Sequence, residues 1–252
     1  MISVSYNKLR DSSKSKVNFY KNEKVGYFVA SMMAGVFVGL CMITILVMAG
    51  MMDNFAGLKI LQGISFAAAL SLVVFAGAEL FTGNVFVMTA GVLLKEIKLR
   101  DAIGLCIYCY IGNLAGSILI ASLFLGTGYL QGDVLVAAHT AMSSKTDPAF
   151  FSLFVRGILC NLLVCAGVWS MYRLNSESGK LVMIFWCIYL FVVCGFEHSI
   201  ANMTLFSIKT LNGVSGTVFS GMMINLGATT TGNIVGGMAL SLGYWAIAKK
   251  TL

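Results

Sequence analysis

The sequence predicts an all-α membrane protein with six transmembrane helices, built as a 3+3 inverted repeat in which helices two and five are broken. Three observations predict it. Hydrophobic residues make up 58% of the 252 and charged residues only 11%, too little charge to cover a soluble domain of this size. Apolar stretches long enough to cross hydrocarbon recur along the chain. Short motifs of the first half return in the same order in the second.

The elements follow in order. Residues 1–25 are polar and basic and read as a cytoplasmic segment, without the short apolar core of a secretory signal. From residue 26 to 252 the chain reads as one transmembrane domain. Its spans are expected at Gly26–Gly50, Ile60–Leu94, Ala102–Gly126, Pro148–Met171, Leu181–Phe206 and Gly221–Ala248, so the halves cover about 26–126 and 148–248.

Charge orients these spans. Lys8, Arg10, Lys14, Lys16, Lys21 and Lys24 precede the first span, and Lys95, Lys98 and Arg100 follow the second. Arg173 and Lys180 follow the fourth, and Lys249 and Lys250 the sixth. With six crossings all of these share one side, leaving Lys59, Lys145 and Lys209 on the other. The bias puts both termini in the cytoplasm of a multi-pass protein of the cell membrane. Basic residues confined to short segments between apolar runs are topology signals, not a nucleic-acid surface.

The repeat is specific. Residues 77–84 read GAELFTGN and 195–202 read GFEHSIAN, both fitting G-x-E-x-x-x-x-N. Residues 112–116 read GNLAG and 232–236 read GNIVG. Gly77 stands 35 residues before Gly112, and Gly195 stands 37 before Gly232. Gly35 and Gly157 are read as a further matched pair. Three spans per half is an odd number, so the halves insert in opposite directions.

Both G-x-E motifs fall inside hydrophobic spans, where an ionisable residue costs about 3 kcal/mol and marks function. The simplest structure is a helix that stops at each motif and resumes after it, which is tolerated only where it lines a cavity or is buried in protein. Glu79 and Glu197 are expected to accept backbone N–H groups freed by the interruption, with proton carriage as the alternative. His198 has no counterpart in the first half, where Leu80 occupies its place. A histidine beside a mid-membrane break is suited to sharing a proton within a pore, and Thr82 adds a hydroxyl that can face it. Asn113, Asn161 and Asn233 are polar groups that either bond across helices or line the pathway. Phe66, Leu70, Phe81 and Phe191 lie near the motifs, where they form either a dry constriction or ordinary core. Lys145 is either a solvated loop charge or an attractor of anions at a pore mouth. Arg156, about two turns into span four, points away from the face of Asn161 and would snorkel or pair at a subunit contact.

No enzyme is expected. The chain has two His, no His-rich or phosphate-loop motif, and no nucleophile or cofactor constellation, so neither a metal nor a cofactor is anticipated. Its seven Cys lie mostly within apolar runs, and the Cys106/Cys109 pair reads as packing rather than redox chemistry.

The chain resembles the formate/nitrite transporter family over nearly its whole length. The resemblance is carried by GAELFT at 77–82, by Lys145 sixteen residues ahead of the Asn161–Leu162 pair, by GFEHSIANM at 195–203, and by TGNIVGG at 231–237. It implies an aquaporin-like protomer in a lipid bilayer, assembled as a homo-pentamer with a pore in each protomer. It further implies that His198 is the central pore histidine, Thr82 its neighbour, Lys145 a vestibule lysine, and Asn161 and Asn233 pore asparagines. Phe66, Leu70, Leu80, Phe81 and Phe191 would form apolar constrictions. The substrates would be small monovalent anions or their conjugate acids. The overall likeness favours the hydrosulfide branch, with formate or nitrite as possibilities, through a passive channel or alternatively a proton-coupled carrier. A water or glycerol channel would carry Asn-Pro in both breaks, whereas Pro148, the one proline, lies outside them.

The charge asymmetry generates a topology test. Cysteine placed at position 98 or 176 should resist an impermeant thiol reagent applied to intact cells and react once the membrane is opened. Labelling from outside at either position would reverse the orientation and remove the basis for opposed halves.

Overall fold

The computed structural model describes residues 2–52, 55–213 and 216–250. All regular structure among these residues is helical. The helices are α1 (Ile2–Asn22), α2 (Lys24–Met51), α3 (Leu58–Phe66), α4 (Ala68–Phe75), α5 (Phe81–Leu93), α6 (Leu99–Gly126), α7 (Gly132–Thr146), α8 (Phe150–Arg173), α9 (Glu177–Val193), α10 (Ser199–Leu211) and α11 (Gly216–Ala248). Lys24–Met51, Leu58–Phe75, Leu99–Gly126 and Phe150–Arg173 are each long and apolar enough to cross a membrane.

The second and fifth apolar stretches are interrupted where the motifs fall. The second comprises α3, α4 and α5, with a one-residue interruption at Ala67 and a full break at 76–80; the fifth comprises α9 and α10, broken at 194–198. Both breaks begin identically. Gly77 has φ +75° and Gly195 φ +68°, a left-handed conformation that glycine adopts without steric cost. Ala78 N–H donates to Val73 O at 2.9 Å and Gly77 N–H to Val74 O at 3.4 Å; Phe196 N–H donates to Phe191 O at 2.9 Å and Gly195 N–H to Val192 O at 3.0 Å. This is the Schellman closure of a helix C-terminus, made twice. The chain then runs extended through Leu80 (φ −106°, ψ 125°) and His198 (φ −109°, ψ 114°) before α5 and α10 begin.

Two helix pairs approach with almost no side chain between them. A Cβ on Gly116 of α6 would lie 2.0 Å from the Met32 carbonyl of α2, and one on Gly236 of α11 would lie 2.4 Å from the Ile158 carbonyl of α8. Small residues let backbones approach this closely where no hydrophobic force drives helices together. The matched contacts also fix how the halves correspond. Asn113 bonds the Ser31 carbonyl as Asn233 bonds that of Gly157, so Gly157 pairs with Ser31. The pairing of Gly157 with Gly35 read from the sequence is therefore displaced by one helical turn; Gly35 answers to Asn161.

Two helices exceed the six-span reading. The basic segment before residue 26 forms α1, whose buried Ser5, Leu9, Ser13 and Val17 recur every four residues. Tyr6 OH donates to Ser241 O at 3.2 Å, and Arg10 and Lys14 pair with Glu96. The Lys14 ammonium, with Arg10 behind it, holds the Glu96 carboxyl below its ordinary range. α7 likewise buries Val134, Ala138 and Met142 at four-residue intervals. Lys145 thus sits in the last turn of a helix rather than in a loop.

Gly116→Ala should lower the unfolding midpoint of the detergent-solubilised protein, at a cost of about 1–3 kcal/mol for overpacking. Gly126→Ala, where an added Cβ meets nothing within 4 Å, should stay within about 0.5 kcal/mol of wild type. Equal midpoints for the two variants would mean that α2 and α6 do not approach this closely.

Candidate functional site

A helix stopped inside an apolar layer leaves backbone groups without partners, and two asparagines supply them. Asn113 Oδ1 accepts from Phe81 N–H at 3.0 Å, while its Nδ2 donates to Glu79 O at 2.9 Å and Ser31 O at 2.7 Å. Asn233 does the same in the other half: Oδ1 accepts from Ser199 N–H at 3.0 Å, and Nδ2 donates to Glu197 O and Gly157 O, both at 2.9 Å. Both asparagines are fully buried. Glu79 N–H reaches Ala30 O at 3.0 Å, and Glu197 N–H reaches Arg156 O at 3.3 Å. These bonds give partners to backbone groups freed at both breaks, as burial requires.

The carboxylates consequently do something other than expected. Rather than accept backbone N–H groups, each accepts from side chains. Glu79 takes Lys16 Nζ at 2.5 and 2.7 Å, Asn84 Nδ2 at 2.8 Å and Tyr27 OH at 3.2 Å. Glu197 takes Lys145 Nζ at 2.8 Å and Asn202 Nδ2 at 2.7 Å. The last residue of each G-x-E-x-x-x-x-N motif is therefore its own glutamate's donor, and the lysines arrive from α1 and α7. Burial works against the Lys16 ammonium, but Glu79 more than offsets it and holds the amine above its ordinary value.

Between the two breaks lies one polar contact. His198 Nε2 and Thr82 Oγ1 stand 3.0 Å apart. His198 Nδ1 accepts from Ala201 N–H at 3.2 Å, capping α10. A nitrogen that accepts carries no proton, so this bonding assigns the ring proton to Nε2, aimed at Thr82. Because Thr82 is the second residue of α5 and His198 caps α10, two helix N-termini meet here, and both favour negative charge.

Two cavities flank the contact. One, of about 310 Å³, is lined by Phe66, Phe191, His198, Glu197, Lys145 and Arg156 among others; the second, of about 220 Å³, by Leu70, Leu80, Glu79 and Lys16 among others. Phe191 stacks on His198 with centroids 6.0 Å apart and meets Phe66 edge-on at 5.9 Å. Phe66, Phe191, Leu70 and Leu80 are each at most 5% exposed, so apolar side chains close both approaches.

The residues predicted from sequence divide accordingly. His198, Thr82, Phe66, Leu70, Leu80, Phe191, Lys145, Glu79 and Glu197 come together around this axis. Phe81 does not: it packs edge-on against Tyr110 at 4.9 Å and lines a separate apolar cavity between α5, α6 and α11. Asn161 and Asn233 line neither flanking cavity, because Asn161 donates to Thr82 O and Asn233 O and is fully buried. Lys16, Tyr27, Asn84 and Asn202 were missed as partners of the glutamates. The repeated asparagine at the end of each motif was the signal for two of them.

The chain is similar to known proteins over nearly its whole length. The sequence profile of the formate/nitrite transporter family matches residues 3–246. The nitrite transporter NirC of Escherichia coli is 34% identical, over 99% of this chain and 94% of its own. A solved FNT family ion channel superposes with a TM-score of 0.90 at 33% identity, covering 96% of this chain and 98% of that one. A pentameric formate channel with formate bound superposes at 0.74 and 28% identity, over 88% and 96%.

The ion pairs generate a stability test. Lys145→Met leaves the Glu197 carboxylate, 2% exposed, without its cation, and should cost about 3 kcal/mol. Lys145→Met combined with Glu197→Gln should recover most of that loss, read as the unfolding midpoint in detergent. A double variant no more stable than the single one would show that the two side chains are not coupled.

Proposed function

We propose that this chain, which belongs to the formate/nitrite transporter family, is a passive channel for small monovalent weak-acid anions. The family is one of transporters and channels rather than enzymes. The observation that carries the reading is the 3.0 Å Thr82–His198 contact, set between two cavities and between two apolar closures.

The route runs from the Lys145 cavity past Phe66 and Phe191, across His198 and Thr82, and past Leu70 and Leu80 to the Lys16 cavity. A bare anion pays heavily to enter an apolar closure. At the centre it meets two helix N-termini and the Nε2–H of His198, and it can replace Thr82 as the acceptor. Sharing that proton, or arriving as the conjugate acid, removes most of the desolvation cost. A further proton on the ring would have to go on Nδ1 and would displace the Ala201 N–H that caps α10, so the imidazole works as a neutral donor. Small weak acids pass on this scheme and anions of strong acids are held back.

Six crossings in two inverted halves, both termini cytoplasmic, and assembly as a pentamer complete the proposal. The matched Asn113 and Asn233 bracing and the matched Lys–Glu pairs support opposed halves. The pentameric formate channel similar to this chain supports the assembly. The chain's nitrite- and formate-named relatives make those anions candidates, and hydrosulfide, favoured by the overall sequence likeness, stands with them. A proton-coupled carrier would use the same histidine, and fixed proton stoichiometry would identify it.

His198→Asn tests the scheme. Asparagine is a strong N-cap, so α10 should still form and the oligomer should elute normally. Loss of the imidazole donor should cut the preference for a weak-acid anion over chloride about tenfold and alter the dependence of flux on pH between 5 and 8 in liposomes. A variant with wild-type selectivity and pH profile would reduce His198 to a packing residue and remove the mechanism.

A further inference from the structure

Resting on that channel reading, we propose that Arg156 is the anion-docking residue of the Lys145 cavity and biases it toward planar anions with two oxygens.

The lysine first expected to draw anions is already committed. Lys145 Nζ bonds Glu197 Oε1 at 2.8 Å, and its carbonyl accepts from Asn225 Nδ2 at 2.7 Å. A paired ammonium and carboxylate present little net charge to an anion at the mouth. Among the described residues Glu197 is the only acidic one lining this cavity, against three cations, Lys59, Lys145 and Arg156. Once Lys145 and Glu197 cancel, the remaining positive charge rests on Lys59 and Arg156.

Arg156 differs from Lys59 in depth and in chemistry. It lies two turns inside α8, half-buried, and its carbonyl receives Glu197 N–H at 3.3 Å. Its backbone is thereby tied to the break that carries His198. Among the described residues its guanidinium forms no hydrogen bond or ion pair. A buried-edge cation without a partner is costly unless something supplies one, and here an incoming anion does. The first half of the repeat has no counterpart, since the matching position, whose carbonyl receives Glu79 N–H, is Ala30. The docking charge therefore belongs to one mouth only.

The choice of arginine adds shape to charge. A guanidinium stays protonated at any pH the channel meets, and its two parallel N–H groups match the two oxygens of a carboxylate-like anion. Formate and nitrite offer two such oxygens; hydrosulfide offers a single sulfur and can use only the charge. Arg156 thus discriminates among the anions that His198 alone would treat alike.

The test uses the purified full-length oligomer in liposomes, with nitrite, formate and hydrosulfide at concentrations well below saturation. Arg156→Gln should reduce nitrite and formate flux about tenfold at low ionic strength, and less in high salt. Arg156→Lys should restore hydrosulfide flux to wild type yet leave nitrite and formate about fivefold down, because the charge returns without the fork. Both substitutions keep the carbonyl that holds Glu197, and gel filtration checks assembly. Wild-type flux of all three anions in Arg156→Lys overturns the shape selectivity. Wild-type flux in Arg156→Gln at low salt overturns the docking role. A loss equal for every anion and every salt concentration in both variants assigns Arg156 a structural part and overturns the inference as well. If the wild-type protein passes none of the three, the channel reading itself fails, and this inference with it.

Discussion

A buried peptide group must have a hydrogen-bond partner, and that constraint organises this molecule. The two interrupted helices leave N–H and carbonyl groups stranded in an apolar interior, where each unpaired group costs about 1–3 kcal/mol. Asn113 and Asn233 each satisfy two of them at once and bond a carbonyl of the neighbouring helix as well. An amide side chain suits the task because it carries donor and acceptor on one rigid plane. The close approach of α6 to α2 and of α11 to α8, through glycines, brings those asparagines within reach. Packing and bonding thus depend on each other.

The repeat reaches further than the spans. α1 precedes α2 as α7 precedes α8, and each delivers a lysine to the glutamate of one break: Lys16 to Glu79, Lys145 to Glu197. Each pair is completed by the asparagine five residues on. The scaffold is symmetric, whereas the chemistry is not. His198 stands opposite Leu80 and Arg156 opposite Ala30, so these ionisable side chains fall in one half only. The symmetric elements fix the geometry, and these unmatched residues break its chemical symmetry.

The apolar exterior is consistent with this interior. Leu40, Ile107, Leu123, Trp186 and Met223 are exposed, a cost in water and none in lipid or against a neighbouring subunit. The apolar cavity that holds Phe81 opens between α5, α6 and α11, away from the Thr82–His198 axis. Phe81, next to Thr82 in sequence, therefore serves a different surface, because successive helix positions turn by about 100°.

The sequence by itself determined the all-helical class, the sites of both breaks, and that His198, Thr82, Glu79 and Glu197 lie at them. These follow from local signals: apolar runs, a glycine that ends a helix, and ionisable residues where they are expensive. It did not determine what the glutamates bind. Lys16 lies 63 residues from Glu79 and Lys145 lies 52 from Glu197, so no local spacing reports the pairing. Nor did it separate Phe81, Asn161 and Asn233 from the residues that line the two cavities beside Thr82 and His198, since a helical residue's face is fixed by what its neighbours pack against. α1 and α7 escaped because a charged or small-residue helix has no apolar run to mark it, and its four-residue rhythm gains meaning only against a partner. Tertiary structure decided those points because each is a matter of which distant groups meet, and in a low-dielectric interior the meeting of distant charges and amides sets the energy.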